Sequence, residues 1–206
     1  MFKIKIVFSF FCLSIFFQTF SFAQEQLRDI AHEKRFLIEI NKKSMPTKIS
    51  EILDNDKKYN LAILQLTNKD YMKDNEVIVG DPHEPDKQTK NTVRVPDFKA
   101  VYNNLIDSYE KTKNPISSYI LTHLISTAFG KSNKLSDFAK FSKINYENGL
   151  CSGFIDYGET LQNGYYTPVN KEKALLVYKE GYEKCKDISW FGSLLTSKIQ
   201  SIRKQK

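Results

Sequence analysis

Apolar residues recur at helical spacing along most of the chain. The clearest run places six of them at i, i+3, i+4, i+7, i+8 and i+11: Phe98, Val101, Tyr102, Leu105, Ile106 and Tyr109. This spacing puts all six side chains on one face of a helix. The same spacing predicts helices over residues 25–43, 46–66, 115–130, 135–148, 151–161, 171–184 and 189–203. We therefore expect an all-α fold in which short connectors join antiparallel helical pairs.

Residues 68–94 break the helical pattern. They include many charged residues, a Gly-Asp-Pro sequence at 80–82, and two short runs of alternating polarity at 77–79 and 93–95. Such a stretch predicts a long loop or a small β-hairpin. Long loops inside a compact domain are uncommon unless they are functional or disordered, so this insertion is one place to look for a partner surface.

The first 23 residues have the composition of a secretion signal. A short basic start at Lys3 and Lys5 precedes an almost entirely apolar stretch at 6–20, and small residues follow it. This order predicts cleavage between Ala23 and Gln24 and export to the periplasm or the cell exterior.

A membrane-spanning helix is the competing interpretation of the same stretch. A spanning helix needs roughly 18 to 20 uninterrupted apolar residues. Here the apolar run is shorter and contains Gln18. We therefore expect no stable membrane anchor in the mature chain, residues 24–206.

The charge of the chain does not favour a nucleic-acid partner. The net charge is +7, but Lys3 and Lys5 leave with the signal, so 29 basic and 24 acidic residues remain and the mature chain carries +5. Most of the lysines alternate with acidic residues, as on a solvated surface, and only the tail at 198–206 concentrates positive charge. Export makes a nucleic-acid partner less plausible still.

The last third of the chain contains an internal repeat. At an offset of 34 residues four positions match: Cys151 with Cys185, Tyr157 with Phe191, Gly158 with Gly192, and Leu161 with Leu195. Thirty-four residues is the period of tetratricopeptide repeats. We expect Gly158 to let the two helices of a pair pack closely, and Gly164 to end a helix in the left-handed conformation.

These residues resemble the Sel-one-like repeat, a tetratricopeptide-type unit that holds proteins and rarely performs chemistry. The positions that carry the resemblance are Tyr157, Gly158, Leu161, Gly164, Val169, Asn170, Lys173, Ala174 and Tyr178. Tyr166 and Val177 depart from it, because the family has Gly and Trp there. The resemblance implies a secreted bacterial member of this family, with helical pairs stacked as a short right-handed α/α solenoid.

Two cysteines, Cys151 and Cys185, remain once the signal is removed. An oxidising compartment favours a disulfide between them. Cys151 would open one helix and Cys185 would close the next, and in an antiparallel pair those ends lie side by side, with Cα atoms about 5.5 Å apart. Two buried free thiols are the alternative.

The sequence contains no recognisable catalytic motif. His32, His83 and His123 are far apart, and none has a zinc spacing such as His-Glu-x-x-His. There is no Gly-x-Ser-x-Gly elbow, phosphate-binding loop or dinucleotide-binding fingerprint. The polar residues at 81–86 offer a metal site as an alternative, but the prolines among them indicate an exposed loop. We expect no enzyme, no catalytic residue, no metal and no cofactor.

Aromatic residues supply the candidates for partner binding. Tyr165 and Tyr166 fall in a turn between helices, Trp190 begins the last helix, and His123 lies on a helix face that packs in the core or lines a groove. Exposed Tyr and Trp are enriched in interfaces. The concave face of an α/α array is the usual groove.

The expected organisation has four parts: a signal peptide (1–23), an N-terminal helical pair (24–67), the loop or hairpin insertion (68–95) and helical repeats (96–206). The sharpest functional hypothesis is a monomeric immunity or inhibitor protein that blocks a toxin or effector in the cell envelope. It follows from analogy with Sel-one-like repeat proteins that act beside secreted lipase effectors. Two alternatives stay open: an envelope scaffold or adaptor for cell-wall enzymes, and a hydrolase acting through the 68–94 loop.

Overall fold

The computed structural model describes residues 31–79, 89–130, 134–188 and 190–204. The expected signal peptide, its cleavage site and the polar residues at 81–86 lie outside these ranges. None of the helices within the ranges has the length and apolar character that crossing a membrane requires.

Helices make up most of the described residues, and one two-stranded antiparallel sheet interrupts them. The elements in chain order are α1 (Ala31–Glu39), α2 (Thr47–Asn55), α3 (Lys57–Thr67), β1 (Met72–Val79), β2 (Thr89–Pro96), α4 (Phe98–Thr112), α5 (Pro115–Leu124) with a π-helical continuation (Ile125–Phe129), α6 (Leu135–Glu147), α7 (Cys151–Asn163), α8 (Lys171–Cys185) and α9 (Phe191–Arg203). The mainly helical class expected from the spacing is confirmed.

Polar side chains fix where several helices begin. Asp97 accepts a hydrogen bond from the backbone N–H of Ala100 at the start of α4, and Asn170 accepts one from Lys173 at the start of α8. Asn114 caps α5, whose first residue is a proline. These caps satisfy N–H groups that have no partner within their own helix.

The expected helix over 46–66 is in fact two helices, α2 and α3, which meet at Asp56. The side chain of Asp56 is 3% exposed, and one of its oxygens accepts the N–H of Tyr59 at 2.9 Å, which caps α3. The other oxygen accepts hydrogen bonds from Ser108 at 2.6 Å and Asn114 at 3.2 Å, on α4 and at the start of α5. The break therefore depends on residues about fifty positions away, and the local pattern of apolar residues could not reveal it.

The insertion forms a β-hairpin, which is one of its two expected forms. β1 pairs with β2 along its whole length. Ion pairs join the strands at Asp74 and Arg94 (3.3 Å) and at Glu76 and Lys90 (3.5 Å), with all four side chains exposed. Exposed pairs of this kind add little stability.

From α3 to α9 each helix packs against the next helix in the chain, and α1 packs against α5. Buried residues form two clusters. The first draws on α1 to α6 and includes Phe36 and Leu105; the second lies within α7 to α9 and includes Phe154 and Tyr178. Helices that follow one another in sequence are therefore also neighbours in space through most of the described chain.

Helices α7 and α8 form an antiparallel pair that a disulfide closes. Cys151 begins α7, Cys185 ends α8, and their Cα atoms are 5.9 Å apart, so the expected disulfide forms. A Cβ on Gly158 would lie 2.1 Å from a ring carbon of the buried Tyr178, so this close packing requires glycine. Gly164 follows α7 with a φ of +72°, the left-handed conformation expected for it.

The other positions of the repeat motif mostly supply core side chains. The buried motif residues are Tyr157, Leu161, Ala174, Phe191 and Leu195. Gly192 also lies in a close contact, because a Cβ there would be 2.7 Å from the carbonyl oxygen of Lys186. Val169 and Lys173 are exposed.

Candidate functional site

A groove of about 590 Å³ lies between α1, α5, α7 and the start of α9. Helix α5 contributes four residues at i, i+3, i+4 and i+7: Tyr119, Thr122, His123 and Ser126. This spacing follows the helical period, so one face of α5 forms one wall of the groove.

Helices α7 and α9 form the opposite side of the groove. Ser152, Ile155 and Asp156 project from the first two turns of α7, again at helical spacing. Trp190 and Phe191 complete this side at the start of α9. Helices α5, α7 and α9 therefore all contribute side chains to one common space.

The rim of the groove carries exposed apolar surface. Trp190 is 58% exposed and stacks on the buried ring of Phe191, with ring centroids 4.5 Å apart. Ile38 of α1 also lines the groove and is 54% exposed. Large exposed apolar side chains beside a groove are typical of binding surfaces.

Helix α1 packs on α5 through apolar and polar side chains, and it also reaches α3. Phe36 is fully buried and its ring meets that of Tyr119 edge-on at 6.2 Å. One turn earlier, Glu33 is buried and accepts a hydrogen bond of 2.6 Å from the hydroxyl of Tyr59 on α3. These contacts hold α1 against the rest of the protein.

Glu39, the last residue of α1, caps helix α7. Its carboxylate accepts hydrogen bonds from the backbone N–H (2.9 Å) and the hydroxyl (2.6 Å) of Ser152. Leu150, at the N-cap position of α7, offers no side-chain acceptor, so Glu39 supplies one from a distant part of the chain. Burial raises the pKa of Glu39, against the opposing effect of its hydrogen bonds with Ser152 and Tyr119.

Two histidines and an arginine meet at the groove. The rings of His32 on α1 and His123 on α5 are 5.8 Å apart and edge-on. Burial, helped by the neighbouring His123 and Arg35, lowers the pKa of His32 to about 4. Burial and Arg35 also lower the pKa of His123. Both imidazoles are therefore neutral at pH 7.

The four candidate partner-binding residues separate into two groups. His123 and Trp190 both line the groove. Tyr165 and Tyr166 lie in the turn after α7, at the other end of that helix from Ser152. Tyr165 packs edge-on against Phe138 at 6.3 Å, which makes it part of the core.

Tyr166 is 78% exposed, away from the groove, and has a φ of +52°. Few side chains adopt this left-handed conformation without strain. It occupies the position where the repeat motif would have its second turn glycine. Its exposure keeps it a candidate for contacts outside the groove.

Sequence reasoning did not find the contribution of α1 to the groove. Arg35, Ile38 and Glu39 belong to an ordinary amphipathic segment and reach the groove only because α1 packs on α5. A signal was available on α5 and its π-helical continuation, where Thr122, His123 and Ser126 form a polar strip at helical spacing.

Metal ligation has no basis in the parts of the chain that the structure describes. No group of three or more His, Cys, Asp and Glu residues there is placed to hold an ion. The alternative metal site at 81–86 lies outside those parts.

Comparison of the chain with protein-family models, with characterised proteins and with solved structures finds no match. The groove and its chemistry are therefore interpreted from the residues of this chain.

Proposed function

We propose that this protein is a binding module that holds another protein in the groove between α1, α5, α7 and α9. One observation carries the proposal: the groove is open and is flanked by the exposed side chains of Trp190 and Ile38. Tryptophan is the residue most enriched among those that dominate binding energy. A partner that covered this rim would bury a large apolar area at a small cost in side-chain entropy.

The proposed architecture is a short right-handed α/α solenoid with a Sel-one-like repeat at residues 151–195. Two features support it. Sequence neighbours pack pairwise from α3 to α9, and every second helix, α5, α7 and α9, faces the groove. In an α/α array one helix of each pair lines the concave surface, which is the usual binding face.

The proposed compartment is the periplasm or the cell exterior, after cleavage between Ala23 and Gln24. The disulfide between Cys151 and Cys185 supports it, because such bonds persist in oxidising spaces. The composition of the first 23 residues supports it independently.

Within this class the protein acts as a monomeric immunity or inhibitor protein, and its partner is a toxin or an enzyme of the cell envelope. We propose binding without chemistry, since the deeply buried carboxylate of the groove, Glu39, is engaged in capping α7. An inhibitor needs a rigid surface and an anchor, and the groove wall and Trp190 supply them.

Affinity capture with the mature chain tests this function. Tagged residues 24–206 are incubated with an osmotic-shock extract of the producing cells, and the bound proteins are identified by mass spectrometry. We expect one stoichiometric partner of toxin or hydrolase type, whose activity the protein suppresses. Several envelope proteins, or none, would contradict the inhibitor proposal and favour a scaffold.

A matched pair of variants tests the groove itself. Trp190→Ala should weaken binding of that partner at least tenfold, about the effect of losing one dominant aromatic anchor. Leu176→Ala is the control, because Leu176 is 64% exposed on α8 and does not line the groove. Equal binding by both variants would place the interface elsewhere.

A further inference from the structure

Arg35, His32 and His123, here called the basic cluster, stand together at one side of the groove. The two imidazoles are in ring contact, and Arg35 lies close enough to influence the charge of both. Arg35 and His123 line the groove, and His32 supports His123 from α1. At pH 7 the imidazoles are neutral and Arg35 carries the positive charge of the cluster, so protonation of either imidazole would add a like charge beside it.

Arg35 forms no ion pair with a described carboxylate, although it acts electrostatically on Glu39. None of the ion pairs between described residues involves it. Of the groove carboxylates, Glu39 is bound to Ser152, and Asp156 has an interaction partner within the protein. An arginine beside a groove that forms no ion pair with a described carboxylate is suited to bind one from a ligand, in a bidentate arrangement.

We infer that the basic cluster is a subsite for a carboxylate, and that the groove takes a partner segment in which an acidic side chain adjoins an apolar one. This rests on the proposed binding function and adds the chemistry of the ligand. The carboxylate binds Arg35 and the imidazole N–H of His123, and the apolar side chain packs on Trp190 and Ile38. Ser126, one turn after His123 on the same face, presents a further hydroxyl.

Binding at this subsite is coupled to pH. A bound carboxylate favours the charged form of each imidazole, so the complex takes up protons that the free protein does not hold. The other titratable groups around the cluster are Glu33, Glu39, Tyr59, Tyr119 and Asp156, and Trp190 and Phe191 of α9 carry no charge. Affinity for an acidic segment should therefore rise as the pH falls from 7.5 to 5.5, where a glutamate side chain is still ionised.

Histidine NMR of the mature chain tests this inference. The chain has three histidines, so a His83→Gln background leaves the signals of His32 and His123. The probes are the blocked tripeptides acetyl-Leu-Glu-Leu-amide and acetyl-Leu-Gln-Leu-amide, titrated to millimolar concentration. We expect the glutamate peptide to raise the pKa of both imidazoles by about one pH unit or more. It should also bind at least threefold more tightly at pH 5.5 than at pH 7.5, whereas the glutamine peptide shows neither effect.

Two variants separate the subsite from the rest of the groove. Arg35→Gln should abolish the preference for the glutamate peptide, and Arg94→Gln in the hairpin is the matched control. Equal binding of the two peptides, survival of the preference in Arg35→Gln, or failure of both peptides to bind overturns the carboxylate subsite. The binding function fails if the mature chain captures no partner, and the groove fails as its site if the captured partner is insensitive to Trp190→Ala. These failures are distinguishable from failure of the carboxylate subsite.

Discussion

Helix pair α7–α8 and helix α1 meet at Ser152, and different kinds of contact hold them. The pair is built from residues close in sequence. Its core consists of apolar rings such as Phe154 and Tyr178, and a disulfide closes its open end. Burial raises the pKa of Tyr178, so its ring stays neutral and these apolar contacts should persist over a wide range of pH.

Helix α1 depends on partners far away in the chain. Phe36 is the buried apolar side chain of this helix. Glu33 and Glu39 are buried polar side chains of the same helix, and His32 is in ring contact with His123. Buried polar groups contribute stability only while each keeps its partner. Of the helices that line the groove, α1 should therefore be the easiest to destabilise. A single substitution or a change of protonation is enough to remove the partner of one of its buried polar groups.

The largest effect should come from breaking the disulfide. Cys151→Ser with Cys185→Ser should lower the free energy of unfolding by about 3 to 4 kcal/mol, because the bond closes a long loop in the unfolded chain. Urea unfolding followed by the fluorescence of Trp190, the chain's one tryptophan, measures it. Reduction of the native protein should reproduce the loss. A loss below about 1 kcal/mol would mean that apolar packing alone holds the pair.

A smaller effect should come from removing the cap that α1 provides. Glu39→Ala should cost about 1 to 2 kcal/mol, since the N–H and hydroxyl of Ser152 lose their acceptor. Glu39→Gln should cost less, because its amide oxygen can still accept those hydrogen bonds. Urea unfolding gives the free energies, and hydrogen exchange should show faster exchange in α1 than in α8.

The control for this cap is Glu51→Ala, which removes an exposed glutamate from α2. It should change the free energy of unfolding by less than about 0.5 kcal/mol. Equal losses in Glu39→Ala and Glu39→Gln would show that the charge of Glu39, rather than its hydrogen bonds, holds α1.

Near neutral pH, the smallest change in the free energy of unfolding should come from protonation of His32. Its pKa is lowered from 6.5 to about 4 in the folded protein. The unfolded chain therefore binds more protons between these values, and stability is complete above pH 6.5 and declines as the pH falls towards 4. Glu39, with its raised pKa, acts in the opposite direction, because its contribution is complete at low pH and is lost as the pH rises.

The variant His32→Gln separates these two contributions. Relative to it, the native protein should lose less than about 1 kcal/mol between pH 7 and pH 6, and more towards pH 4. Urea unfolding at each pH measures the difference. A constant difference between the two proteins would show that the environment of His32 does not control its protonation.

Much of the helical framework was predictable because its signals are local. The spacing that begins at Phe98 predicted α4, and Gly158 and Gly164 predicted a close contact and a helix end that the structure contains. The pairing of Cys151 with Cys185 was predictable because an antiparallel pair brings its open ends together. His123 and Trp190 were also found as candidates, since both residue types are unusual at their positions on helices.

The sequence by itself determined the helical period, the turns and the cysteine pair, since these depend on neighbours within about one repeat. Only the tertiary structure decided that Asp56 divides a helix, that α1 packs on α5, and that Arg35 reaches the same groove as Trp190. Each of these depends on a contact between distant segments. Such contacts are selected by the burial and hydrogen bonding of the whole chain, and the residues involved carry no local pattern that distinguishes them from solvated ones.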